Sequence, residues 1–428
     1  MLPAINRFQG DCFEQRKRTI LLFALEGAAL SFYSALINNN NNLFIMRLGA
    51  TDYQLSQNVM LSQIVGIALL LPGGIISDRL SNKRKMVVGG LIALAAILFT
   101  TGFVPMMGKT RLDMALVLIA ISTGPLTLYN MSWQAFFSDV VLPFDRNAAL
   151  SARTRLAFVF GTIMPLVGGV LLSSVSSVDK KLKVHQIFFF FTVVTILLQV
   201  FLLMKIKGGN VEKKPVFRIA EFKEVLYSLT HNKQFLFFAG VTIFFYMTWH
   251  LDWTLFFIGQ IRYLGFDESW ISYHNVATNL VQFLTIGFWS RVNERKGVRF
   301  GMFFGAISVA VWPLGFFFVT ILPENMARIV FIIVAAIGNF AVATVLMNPV
   351  QCLLQVVDER HKAISISVYT VFIALSNAMM PMVGVQIYSS MGGDFKAFLA
   401  TYIVIIFLRF VAAGLLIVRY KMSGDMPK

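Results

Sequence analysis

The chain has 428 residues, of which 57% are hydrophobic and only 14% charged, whereas a soluble domain carries about 25% charged residues; a water-soluble globular protein is excluded. The net charge of +16 would suggest nucleic acid in a soluble chain, but here the bases sit between long apolar runs and read as topology signals. Cys12 and Cys352 are the two cysteines, with no metal-site or disulfide-framework spacing, so no metal or cofactor is expected.

A bilayer span needs about 20 apolar residues, and its backbone must be satisfied within a helix or a closed barrel. The runs here are continuous and lack period-two alternation, which predicts an all-α membrane protein of about twelve spans. Residues 1–18 are polar and mixed in charge, unlike a cleavable signal. Arg16, Lys17 and Arg18 precede the first run, 19–44, which carries Glu26, Tyr33 and the asparagines from Asn38 to Asn42. Leu48-Gly49 marks a turn. The second run, 53–77, contains Gln63 and ends in Gly73–Lys85, GGIISDRLSNKRK. The third covers 86–106. The fourth, 112–138, carries Asn130, Trp133 and Gln134, and the loop Pro143–Arg146 leads to the fifth, 148–174, with Arg153 and Arg155 near its start. The sixth covers 186–205. Residues 206–232 form the one long polar connection, with an amphipathic piece, VFRIAEFKEVLYSL, expected along the membrane surface.

The seventh run, 234–258, contains Trp249, His250, Asp252 and Trp253. The eighth, 269–289, carries His274 and a polar stripe of Asn275, Asn279 and Gln282. Spans nine to twelve fall at 300–321, 327–357, 362–389 and 397–418; the tenth holds Asn339, Asn348 and Gln351, and the twelfth Arg409. Placing the Lys- and Arg-rich loops in the cytoplasm puts both termini inside. The expected domains are 1–205, six helices; 206–232, a cytoplasmic linker; and 233–428, six helices.

Three stretches recur at nearly constant separation. Leu48-Gly49 with Ser56 maps onto Leu264-Gly265 with Ser272; Asp145-Arg146, Ala149 and Ser151 onto Glu359-Arg360, Ala363 and Ser365; Pro165 with Gly168 onto Pro381 with Gly384. Their shared order argues for duplication of a six-helix unit.

The loop after the second run reads G-x-x-x-D-R followed by Lys/Arg. It resembles the second-to-third-helix signature of the major facilitator superfamily, through Gly74, Asp78, Arg79, Lys83 and Arg84, with Ser81 in place of the family's second glycine. The resemblance implies two six-helix halves related by an axis along the membrane normal. It also implies a cytoplasmic latch at Asp78 and Arg79, with Arg146 nearby and Arg153 as a further gate candidate. Pro165-Leu166-Val167-Gly168-Gly169 resembles the end of the antiporter motif of drug exporters, with Met164 where that motif has glycine.

An ionisable group inside a span is costly and therefore a functional candidate. Glu26 is a proton or cation site or a structural partner of Arg153 or Arg155. Asp252 and His250 are coupling candidates or outer-end interfacial residues. For Arg153, the plainer alternative is an ion pair with Asp139, Asp145 or Asp78. Substrate-cavity candidates are Tyr33, Asn38, Gln63, Asn130, Trp133, Gln134, Trp249, Trp253, His274, Asn275, Asn279, Asn348 and Gln351; the alternative is a solvated helix end for Asn38, the membrane interface for Trp249 and Trp253, and interhelical packing for those of the second, fourth, eighth and tenth runs. The expectation is a monomeric secondary transporter of a small molecule in the cell membrane, bacterial inner or plasma. It works by alternating access, coupled to protons or another ion, and it is not an enzyme. Efflux of amphipathic drugs or lipids and uptake of a polar metabolite both remain open, as does a membrane receptor that has lost transport.

Overall fold

The computed structural model describes residues 2–206, 208, 227–357 and 362–422. Most of the expected linker, and the side chains of Cys12, Asp78 and Arg79, lie outside the described residues. The helices are α1 Leu2–Phe32, α2 Asn41–Arg47, α3 Asp52–Arg79, α4 Arg84–Gly102, α5 Arg111–Val140, α6 Arg146–Ser173, α7 Val178–Lys205, α8 Lys233–His250, α9 Trp253–Arg262, α10 Glu268–Lys296, α11 Val298–Val319, α12 Glu324–Gly338, α13 Val342–Leu354, α14 Lys362–Ser390 and α15 Phe395–Met422. Among the described residues, eleven helical stretches are long and apolar enough to cross a membrane. The polar α10, with 29 residues, is long enough but is not among the eleven.

Three runs expected as single helices are interrupted. Between α1 and α2 the chain passes through a π-helical turn, Tyr33–Ile37, and a 3-10 turn, Asn38–Asn40. The cause lies in the asparagines: the buried Asn40 amide donates to the carbonyls of Ala35 and Leu36, at 3.2 Å each, in competition with the regular helical ladder. The seventh span divides at Leu251-Asp252 into α8 and α9. The tenth divides after Gly338, where Asn339 Nδ2 donates to the Ala335 carbonyl at 2.8 Å.

The chain forms two compact units, Met1–Ala50 with Val65–Val216 and Thr51–Ile64 with Phe217–Lys428. In the first, α1 packs on α6 and α7, and α4 on α5 and α7. In the second, α8 packs on α14 and α15, and α11 on α13 and α15. Phe238, Met302, Val345, Tyr369 and Ala412 belong to the second unit's core. Asp52, at the start of α3, pairs with Arg262 of α9 at 3.0 Å within that unit.

The backbone repeats where the sequence does. Gly49 and Gly265 both have positive φ, 101° and 60°, a conformation that costs glycine little. Each follows a buried leucine, Leu48 or Leu264, and the serines at the matching positions, Ser56 and Ser272, are buried too. Pro165 and Pro381 both lie inside helices, α6 and α14.

Candidate functional site

In the first unit a buried polar cluster forms where α1, α5, α6 and α7 meet. Glu26, 0% exposed, accepts four hydrogen bonds: from Tyr129 Oη, from Trp133 Nε1 at 3.2 Å, from Arg153 Nε at 3.0 Å and from Gln199 Nε2 at 2.7 Å. Arg153 Nη2 and Gln199 Nε2 also reach Tyr129 Oη, both at 3.3 Å. The Arg153 guanidinium lies 4.1 Å from the centroid of the Trp133 ring, a favourable place for a cation. Trp133 in turn stacks on Phe137, with centroids 5.1 Å apart. Gly27 lets the arginine lie across α1, because a β-carbon there would collide with its side chain. Four donors converge on the carboxylate, as a charge held in a low-dielectric interior requires. Yet Arg153 keeps 20% of its side chain exposed.

The second unit holds another acid-arginine pair, at the break between α8 and α9. Asp252 accepts from Arg409 Nη2, and the two side chains are only 3% and 2% exposed. Arg409 also donates to the carbonyls of Thr248 at 3.2 Å, Trp249 at 3.0 Å and Val309 at 2.8 Å. These include carbonyls of the last turn of α8, which an interrupted helix leaves without their usual donors. His250 lies beside the pair, its Nδ1 3.3 Å from Ser376 Oγ and its ring 4.5 Å from that of Trp253.

The remaining candidates fall in several environments. Asn38, Asn130, Gln134, Trp253, Asn279 and Gln351 are exposed, and Gln63, Trp249 and Asn275 half-buried. Tyr33 is buried beside the first break. His274 is buried, 3.4 Å from Gln260 and close to Phe256, Trp312 and Phe331. Asn348 is fully buried and exchanges hydrogen bonds with Asn293 at 2.8 and 3.1 Å.

Around the expected latch, Lys83 pairs with Asp139 at 2.8 Å, Arg84 donates to the Ile206 carbonyl, and Arg146 to those of Val141 and Ser138. Gly74 sits where a β-carbon would touch Met131. Asp145 is held by Arg16 at 2.6 Å, which draws its carboxyl below the usual carboxylate range. The partner of Arg153 is thus Glu26; Asp139 and Asp145 are taken by Lys83 and Arg16.

Sequence reading missed Tyr129 and Gln199 as neighbours of Glu26 and Ser376 as that of His250, and gave Arg409 no partner. The clue available was that each is polar within an apolar run. Among the described residues no cluster of His, Cys, Asp and Glu could hold a metal ion, and Cys352 is a buried free thiol.

With the repeated layout and its buried ion pairs described, the family follows: the chain belongs to the Major Facilitator Superfamily, whose family model matches residues 19–381. It is therefore a multi-pass membrane protein with the fold of a transporter family. No curated protein matches it by sequence. It is structurally similar to a mutant of the nucleoside transporter NupG (TM-score 0.70, 12% identity, covering 94% of this chain and 99% of that one). It is also similar to a D-xylose-proton symporter (0.65, 14%, covering 95% and 97%). A third similar structure is a bacterial homologue of the human lysosomal transporter Spinster (0.65, 14%, covering 95% and 96%).

Proposed function

We propose that this protein is a proton-coupled secondary transporter of a small polar solute, working by alternating access, with Glu26 as the proton-carrying group. The observation that carries this reading is a carboxylate buried in a membrane span, tied to an arginine that keeps part of its surface open. While Glu26 is ionised, Arg153 is held against it. A proton on Glu26 removes the charge that holds the guanidinium and frees it to engage solute or a neighbouring carbonyl. Proton occupancy and the position of Arg153 are then linked, and that linkage is the minimum a coupled carrier needs.

The exposed amides Asn130 and Gln134 support a polar solute. They sit four residues apart on one face of α5, and an amide facing lipid hydrocarbon is unfavourable. We place the two six-helix domains at 1–205 and 233–428, both termini in the cytoplasm, and the protein in the cell membrane, because the basic loops then lie on the cytoplasmic side. The latch at Asp78 and Arg79 belongs to the same reading.

The test is proton flux into proteoliposomes carrying the purified protein, screened against sugars, nucleosides, peptides and amphipathic cations. Solute-dependent proton movement by the parent protein, with Glu26→Gln losing proton-driven accumulation but keeping solute exchange, is the expected result. Proton-driven accumulation left intact in Glu26→Gln would end the coupling assignment. A response to amphipathic cations alone would replace the polar solute by a drug-like one.

A further inference from the structure

A cavity of about 690 Å³ runs along the second unit between α10, α11 and α12. On α11 its wall is Phe300, Phe304, Ile307, Val311 and Gly315, one face of the helix. At 1.5 Å per residue that face is about 22 Å long. One leaflet of the bilayer contributes roughly 15 Å of hydrocarbon, so the groove is long enough for an acyl chain. Phe288, Val311 and Ile337 remain exposed along it.

Two of the polar side chains in the walls have already spent their donors. Trp289 Nε1 donates to the Phe340 carbonyl at 2.7 Å and Ser308 Oγ to that of Gly338, both beside the break between α12 and α13. What they leave is a hydrocarbon-lined channel with a charge at one end. Lys296, the last residue of α10, lines that end, its ammonium 4.7 Å from the centroid of the Phe300 ring. Arg291 and Arg295 belong to the same end of α10. Glu294, the one acid there, does not line the groove.

We infer that this groove holds an anionic phospholipid, its acyl chain along α11 and its phosphate on Lys296. A long apolar trough ending in a lysine complements a molecule with one hydrocarbon tail and one negative head, and basic recesses between membrane helices are known to take such headgroups. The site does not involve Glu26, Arg153 or any proposed solute residue, so it stands or falls independently of the transport reading.

Native mass spectrometry tests it, using the full-length detergent-purified protein offered equal amounts of dioleoylphosphatidylglycerol and dioleoylphosphatidylcholine. One lysine near an anionic surface is expected to favour the anionic lipid about fivefold. Lys296→Glu should bring the two lipids to parity, Val311→Trp should reduce retention of both, and Lys180→Glu, an exposed basic residue of the first unit, should change neither. If Val311→Trp does not fold, Ile337→Trp obstructs the same channel from α12. Equal retention of the two lipids by the parent protein would overturn the inference. So would a preference that survives Lys296→Glu, or displacement of the lipid by glycerol 3-phosphate, which has the head without the tail.

Discussion

The breaks in the first and seventh spans occupy matching places in the repeat, yet they are built differently. Leu36 and Asp252 are 216 residues apart, as are Gly168 and Gly384. In each unit the glycine abuts the break: a β-carbon on Gly168 would lie 3.3 Å from Leu36 Cδ2, and one on Gly384 would run into the Leu251 carbonyl. The first break is held open by an asparagine amide, with its acid, Glu26, ten residues earlier in α1. The second carries its acid, Asp252, within it, sealed by Arg409. Duplication thus preserved the hinge-like irregularity and let the charges diverge. A carboxylate shut away with an arginine bound to three backbone carbonyls is part of the frame. A carboxylate whose arginine keeps a fifth of its side chain outside the packed interior is tied less tightly into the frame.

The sharpest way to break this contrast is to remove one member of each pair. Asp252→Asn or Arg409→Ala leaves a buried charge uncompensated, which costs about 3–5 kcal/mol; thermal unfolding in detergent should show a large loss or no folded protein. Replacing both together, Asp252→Leu with Arg409→Met, should recover much of that loss. A double variant no more stable than the singles would mean that the arginine's carbonyl contacts, rather than the pair, hold the break together. The glycines come next. Gly384→Ala presses on backbone and should cost about 1–3 kcal/mol, while Gly168→Ala meets only the end of a leucine and should cost less than about 1.5 kcal/mol. Equal losses at the two sites would show that the breaks are not built as differently as the contacts indicate.

How much of this was legible in the sequence follows from which forces act locally. The spans were, because apolar runs of bilayer length have few alternatives. The repeat was, through pairs such as Gly49 and Gly265 whose backbone conformation restricts the choice of residue. Glu26 stood out as an acid in an apolar run, and Arg153 was among its named possible partners. The breaks were not legible: the asparagine run read as a helix end or a cavity wall, and nothing local marks Leu251-Asp252. Tyr129 and Gln199 were missed because they lie 103 and 173 residues from Glu26, and only packing brings them to it. The polarity of α10 was visible as a stripe, but not that it would leave the helix short of membrane hydropathy.

Glu26→Gln should be milder than Asp252→Asn. Arg153 is not fully enclosed, and the new amide can still accept from Tyr129 and Gln199. A loss of about 1.5–3 kcal/mol is expected, that of a hydrogen bond to a charged group, again from thermal unfolding in detergent. A loss as large as that of Asp252→Asn would make the first pair structural and erase the distinction between the units.

The smallest effect belongs to Arg16 and Asp145, the polar contact at the start of α6 in the first unit. Arg16 lowers the carboxyl's affinity for a proton, so the folded protein holds the ionised form more strongly than the unfolded chain, whose aspartates titrate near a pKa of about 3.9. The pair's stabilisation is therefore fully present above that value and disappears as pH falls through the lower folded one. Arg16→Ala should lower the unfolding temperature slightly at pH 7 and narrow the gap from the parent below about pH 4. A gap that stays constant with pH would mean that Arg16 acts through its stacking on Phe144, 4.6 Å away, and that the first unit's surface charges contribute nothing to the difference between the halves.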